Sequence, residues 1–130
     1  MANPAVHWEI GGKDAQKLVE FYKGMFSWEI SKMEGMDYHY CNCSAGERGM
    51  CGGIFQIDES KGMTPFVTFY VEVEDLQATL DKVETLGGKT IMPPMKISDE
   101  IGSAAMFQDP QGNVLGIYKG CEKTQECNEC

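Results

Sequence analysis

Basic residues are scarce in this chain: 11 Lys and Arg stand against 20 Asp and Glu, a formal net charge of −9. Nucleic-acid binding draws on Lys and Arg that displace condensed counterions, and no basic cluster interrupts the acidic balance, so no nucleic-acid partner is expected. Long apolar runs are also missing. Nothing approaches the roughly 18 consecutive apolar residues of a spanning helix, so no membrane partner is expected either. Residues Met1 to Ile10 lack the basic segment and apolar run of a signal peptide. Gly11-Gly12 has neither the spacing of a phosphate loop nor the Lys-Ser or Lys-Thr that completes one. These absences leave a cytoplasmic, acidic protein whose charge keeps it dispersed and whose six cysteines are expected as thiols.

What is present is a sequence that reads twice. The 130 residues are 42% apolar, enough for one domain with a sizeable core. Val6-His7-Trp8-Glu9-Ile10 leads into a helix signal at Asp14-Ala15-Gln16, and Val67-Thr68-Phe69-Tyr70-Val71 leads into one at Asp75-Leu76-Gln77. His7 to Thr68 and Asp14 to Asp75 share an offset of 61 (68 − 7; 75 − 14). Gly52-Gly53-Ile54-Phe55-Gln56-Ile57 matches Gly112-Asn113-Val114-Leu115-Gly116-Ile117 at an offset of 60. A half-chain repeat with its element order kept predicts two copies of one structural unit.

Alternation predicts a strand over Ala5 to Ile10, ended by Gly11-Gly12. Ala15, Leu18, Val19, Tyr22, Met25 and Phe26 then form the stripe of a helix buried on one face, with Asp14 as N-cap. Trp28 to Met33, Tyr38 to Cys43 and Cys51 to Ile57 read as three short strands. In the second half Phe66 to Val73 is a strand, Leu76, Leu80, Val83 and Leu86 a helical stripe, and Gly87-Gly88 a stop. Lys89 to Met92, Ser103 to Gln108 and Val114 to Tyr118 are strands, the last two joined by the turn Asp109-Pro110-Gln111-Gly112-Asn113. Each half is β-α-β-β-β. Asp58 to Thr64 links them, and residues 121–130 form a tail without apolar periodicity. The nine methionines include expected core positions Met25 and Met106.

This pattern resembles the vicinal oxygen chelate superfamily of glyoxalases, bleomycin resistance proteins and extradiol dioxygenases. The carriers are Phe21-Tyr22 near the end of the first helix, Val73-Glu74-Asp75-Leu76 at a strand-to-helix joint, and Asp109-Pro110-Gln111-Gly112-Asn113. The resemblance implies an α+β fold of two paired βαβββ modules, about residues 5–60 and 64–119 of a single domain 1–120, with curved mixed sheets around a cavity. It implies a small-molecule ligand and a homodimer. Metal-binding members place one ligand, usually His or Glu, on the first and last strand of each half. Carried across, the four positions are His7, Gln56, Thr68 and Gly116. His7 alone is a strong ligand type, so a full divalent metal site is not expected and no cofactor is required.

By alternation His7 and Glu9 share one strand face, as do Thr68, Tyr70 and Glu72, with Gln56 and Ile54 expected to line the cavity beside them. His7 titrates near neutrality and with Glu9 is the candidate acid–base pair; His7, Gln56, Thr68 and Tyr70 are candidate ligand contacts. Tyr38 and Tyr40, at i and i+2, are candidate pocket walls. The cysteines divide into Cys41, Cys43 and Cys51 in the first half and Cys121, Cys127 and Cys130 in the tail. The three tail thiols fall short of a four-ligand zinc site. Two functions fit: a metal-independent small-molecule-binding protein, or a glyoxalase-type lyase or isomerase using His7 and a divalent ion. A redox or metal-handling role of the tail is a third, weaker fit.

Overall fold

The computed structural model describes residues 2–42 and 49–120, and these fall into two compact units, residues 6–69 and residues 2–5 with 70–120. Cys43, Cys121, Cys127 and Cys130 lie outside the described residues. Among the described residues each unit carries one helix and most of a four-stranded mixed sheet, so the fold is α+β, as expected.

The first unit runs β1 (Ala5–Gly12), α1 (Ala15–Phe26), β2 (Glu29–Lys32), β3 (Tyr38–Asn42) and β4 (Gly52–Gln56). The strand order is β2-β3-β4-β1, with β1 parallel to β4 and the other pairs antiparallel. Asp14 caps α1 by accepting a hydrogen bond from the Lys17 N–H at 3.2 Å. This satisfies one of the helix's orphan donors. The helix stops at Ser27, which takes a left-handed φ of 59° and returns its N–H to the Lys23 carbonyl. Ala15 and Val19 on α1 meet Cys41 and Ile54 on the sheet to form the core, flanked by Trp8, Ile10, Tyr22 and Trp28. The Trp8 and Trp28 rings lie 4.9 Å apart, and Tyr22 stacks on Trp28 at 5.5 Å.

Two sequence expectations fail here. Gly11 and Gly12 do not end β1; they pair with Phe55 and Gln56 of β4. A Cβ on Gly11 would lie 2.6 Å from the Phe55 ring, so this glycine admits a side chain rather than breaking a strand. Met25 belongs to the apolar stripe of α1 but lies 57% exposed, one residue before the helix ends at Phe26. After β4, a single 3₁₀ turn (Glu59–Lys61), capped by Asp58 and closed by left-handed Gly62, occupies the linker.

The second unit comprises β5 (Phe66–Glu72), which enters it at Tyr70, then α2 (Leu76–Thr85), β6 (Lys89–Ser98), β7 (Gly102–Gln108) and β8 (Val114–Gly120). The order is β5-β8-β7-β6, with β5 parallel to β8. Residues 2–5 join it through the Glu72 N–H, which donates to the Pro4 carbonyl at 2.9 Å. Asp75 caps α2 on the Ala78 N–H at 3.0 Å, repeating Asp14 at an offset of 61. Leu76 and Leu80 pack on Val73, Ala105 and Ile117. Burying a side chain such as Leu80 contributes roughly 1.5–3 kcal/mol. Leu86, read as part of the stripe, caps the helix instead and is exposed.

Strand β6 runs past its expected end at Met92 and through Pro93-Pro94. Its register with β7 shifts between Met92 and Met95, because two prolines in a row offer no N–H to the ladder. The Asp109–Asn113 turn forms as read. The Asp109 carboxylate accepts from the N–H groups of Gln111 and Asn113, both at 2.9 Å, and from the Asn113 amide at 2.8 Å. Those donors hold the exposed Asp109 carboxyl below the usual carboxylate range.

Candidate functional site

Strand alternation gives each sheet one face toward its helix and one away from it. In the first unit Trp8, Ile10, Cys41 and Ile54 take the helix side. Their strand neighbours His7, Glu9, Tyr38, Tyr40, Gly53 and Phe55 take the other face. His7 and Glu9 therefore share a face, as the alternation predicts.

His7 is tied to β3. Its Nε2 lies 2.6 Å from the Tyr38 hydroxyl, and the two rings lie nearly parallel, 17° apart, with centroids at 6.3 Å. Burial pushes the His7 imidazole below its ordinary value of 6.5, which favours the neutral ring. A neutral imidazole and a phenol form this bond with either partner donating: the Tyr38 O–H to Nε2, or Nε2–H to the phenol oxygen. Tyr38 is held from below by Gly53. A Cβ at Gly53 would lie 2.1 Å from the Tyr38 ring, so the ring occupies the space that a side chain there would fill.

Gln56 is not with them. It falls on the helix side, with Ile54, and its amide spans the β1–α1 joint. Oε1 accepts from the Ala15 N–H at 3.0 Å, and Nε2 donates to the Lys13 carbonyl. Gln56 thus serves a second orphan donor at the start of α1, and Ile54 is core, with none of its surface exposed. Neither has the cavity-lining placement expected for it. The parity of the strand decides this: Phe55 lies between them and faces the other way.

The strand registers explain the misplacement. Glu9 pairs with Gly53 in the first unit, and Tyr70 pairs with Gly116 in the second. Glu9 and Tyr70 are 61 apart, whereas Gly53 and Gly116 are 63 apart (116 − 53). The buried pair Ile54 and Ile117 keeps the same offset of 63. The first-half counterpart of Gly116 is therefore Gly53, not Gln56. The sequence match at 60 aligned strand residue Gly52 with Gly112, a turn glycine at φ 98°.

In the second unit Tyr70 and Glu72 stand beside Gly116 and Tyr118 on the face away from α2. The Tyr70 ring lies over Gly116, where a Cβ would come within 2.3 Å of it. The Tyr118 hydroxyl donates to the Ile101 carbonyl, and burial, then the Glu72 charge, push its phenol up. Thr68, two residues before Tyr70 on β5 and so on the same strand face, is 4% exposed and sits in the first unit; its hydroxyl reaches toward the Phe69 carbonyl at 3.4 Å. A cleft of about 410 Å³ lies elsewhere in this unit, at the start of α2 between Asp75, Lys96 and Lys119, and includes none of the expected site residues.

At the positions that the resemblance marks for metal ligands, the first unit carries His7, Thr68 and Gly53 and the second carries Gly116. A divalent ion held by protein commonly has three or more N, O or S ligands. Among the described residues no three His, Cys, Asp or Glu side chains stand close enough together to hold an ion. These residues do not fit the metal. Tyr38 is the site residue that sequence reasoning left as a mere wall. It lies 31 positions from His7, and the β3–β4 and β1–β4 registers together bring it there.

The family model of the Glyoxalase/Bleomycin resistance protein/Dioxygenase superfamily matches residues 5–117. The anthracycline biosynthesis protein DnrV of Streptomyces peucetius is 27% identical over 124 residues, 85% of this chain and 45% of its own length. CFP32 of Mycobacterium tuberculosis, a candidate glyoxylase, is 36% identical over 109 residues, 82% of this chain and 41% of its own. The chain thus spans less than half the length of these relatives. In fold it is similar to the Mn(II)-bound glyoxalase of Novosphingobium aromaticivorans (TM-score 0.62, 13% identity), a likeness that covers 95% of this chain and 43% of that one.

Proposed function

The chain belongs to the Glyoxalase/Bleomycin resistance protein/Dioxygenase superfamily, and from that premise we propose that it is a small-molecule-binding member that works without the family's divalent metal. The observation that carries this reading is the donor set: two of the four ligand positions are glycine and a third is threonine. What these strand faces do offer is polar and aromatic: His7, Glu9, Tyr38 and Tyr40 on one, Thr68 and Tyr70 on the other strand. Such surfaces suit a small organic ligand, with phenol and imidazole hydrogen bonds fixing its orientation. That two relatives are named for anthracycline biosynthesis supports an organic ligand of natural-product type.

His7 is the group this proposal rests on most. A neutral imidazole on a phenol can accept or donate one proton to a ligand oxygen without a metal. Glu9 shares its face and completes the proposed acid–base pair. The test is a thermal-shift screen of small organic compounds against chelator-treated protein, repeated on His7→Ala and Tyr40→Ala, which share one face of the first unit. Compounds should stabilise the wild-type chain, and both substitutions should weaken binding roughly tenfold, equivalent to about 1.4 kcal/mol. Hits whose affinity ignores both substitutions would overturn the assignment.

The second reading is a glyoxalase-type lyase or isomerase, favoured by the 36% identity to a candidate glyoxylase and by His7 at a family ligand position. Turnover of an α-ketoaldehyde–thiol adduct that depends on His7 would establish it. A homodimer and a cytoplasmic location belong to the same proposal. Light scattering of the purified chain decides the first, and fractionation of the source cells decides the second.

A further inference from the structure

The resemblance to metal-binding members implies a ligand side chain on the last strand of each half. Here the space for one is full. Tyr38 lies over Gly53 and Tyr70 over Gly116, each ring at 2.1–2.3 Å from where a Cβ would stand. Real Cβ atoms essentially never approach other heavy atoms that closely, so neither position accepts even alanine without displacing a ring. The two rings arrive by different routes. Tyr38 comes from β3, the antiparallel neighbour of β4. Tyr70 comes from β5, the parallel neighbour of β8. Both end on the glycine at the ligand position. In the first unit the replacement goes further, because the Tyr38 hydroxyl also engages His7 Nε2 at 2.6 Å, one of the two nitrogens by which an imidazole can ligate.

We infer that this chain excludes the divalent ion of its family by occupancy: a tyrosine ring fills each last-strand ligand position, and the Tyr38 hydroxyl engages the imidazole of His7. The inference rests on the metal-independent reading above and deepens it, because a merely missing donor could be put back. Restoring the carboxylates through Gly53→Glu and Gly116→Glu leaves the rings in the way. The new side chains must either displace the tyrosines or be displaced by them.

Mn²⁺ is the probe to use, since cysteine thiols favour softer ions and would confuse a zinc titration, whereas Mn²⁺ suits carboxylate ligands. Equilibrium dialysis of the full chain against micromolar Mn²⁺ should find no stoichiometric ion on the wild type or on Gly53→Glu/Gly116→Glu. The same two substitutions combined with Tyr38→Ala and Tyr70→Ala should bind Mn²⁺ at least roughly tenfold more tightly. One equivalent of Mn²⁺ on either chain that keeps both tyrosines would overturn the inference, as would an unchanged affinity on shortening them.

The glutamate variants may be replaced by a milder pair if they do not fold. Gly53→Ala should lower the unfolding midpoint in the wild-type background and cost far less in a Tyr38→Ala background; equal losses in both would sink the claim that the ring fills the site. The functional reading fails separately. If no small molecule binds while Mn²⁺ stays excluded, that reading falls and the occupancy inference stands.

Discussion

In the unit of residues 6–69, α1 sets Ala15 and Val19 on Ile54; in the unit of residues 70–120, α2 sets Leu76 and Leu80 on Ile117. Asp14 caps one helix and Asp75 the other, by the same hydrogen bond to the third helical N–H. The helix sides of the two sheets follow one plan, a capped helix on an apolar sheet face. Their opposite faces do not. Where one unit carries His7, Glu9 and Tyr38, the corresponding strand positions of the repeat carry Thr68 and Tyr70 and leave the glycine to be covered by a ring from β5. Each helix needs only an apolar sheet face beneath it, so both helix sides are apolar although their residues differ, Ala15 and Val19 in one and Leu76 and Leu80 in the other. Nothing in the packing requires both far faces to match, and there the halves carry different chemistry.

The largest test of this comparison lies in the cores. Ile54→Ala and Ile117→Ala each remove a side chain with almost no exposed surface, and each should cost about 2–5 kcal/mol in urea unfolding. A cost confined to one of them would break the equivalence of the helix sides. The caps come next. Asp14→Ala and Asp75→Ala should each lose about 1 kcal/mol, with matching shifts of the melting temperature. Gln56→Ala sharpens the difference, since it removes a second acceptor at the start of α1 and should add a further loss of about 1 kcal/mol.

The far faces give smaller effects. Tyr38→Phe keeps the ring over Gly53 but removes the hydroxyl from His7, at a cost of about 0.5–1.5 kcal/mol. The pH dependence is smaller again. Burial lowers the folded-state pKa of His7, so the unfolded chain binds its proton first. Stability is then fully present above about the ordinary value of 6.5 and is lost as pH falls below it through the folded-state value. Unfolding midpoints measured from pH 7 down to pH 5 should fall, and the fall should be shallower in His7→Gln. An identical slope in both chains would place the titration elsewhere.

Much of the architecture is legible in the sequence because it is local. Asp14 and Asp75 announce two helices, the 3.6-residue stripes announce their buried faces, and Asp109 to Asn113 announces a turn. The limits are where strands from distant parts of the chain decide. The spacing of 61 between first strands grows to 63 at the last strands, and that slip turned Gln56 into an apparent ligand position when it is a partner of the α1 terminus. Pro93-Pro94 reads as a strand end, yet β6 continues through it by shifting register. Met25 fits a periodic stripe, yet it stays exposed in the last turn of α1. Tyr38 carries no mark of its bond to His7, because the pairing that brings them together is set by β3 and β4, not by either residue's neighbours.

We propose that ligand binding in this chain needs no metal. The direct measurement is calorimetric titration of a compound that stabilises the protein, made once in the presence of a chelator and once with Mn²⁺ added. One affinity is expected in both, lost on His7→Ala. Binding that appears only with Mn²⁺ would contradict it.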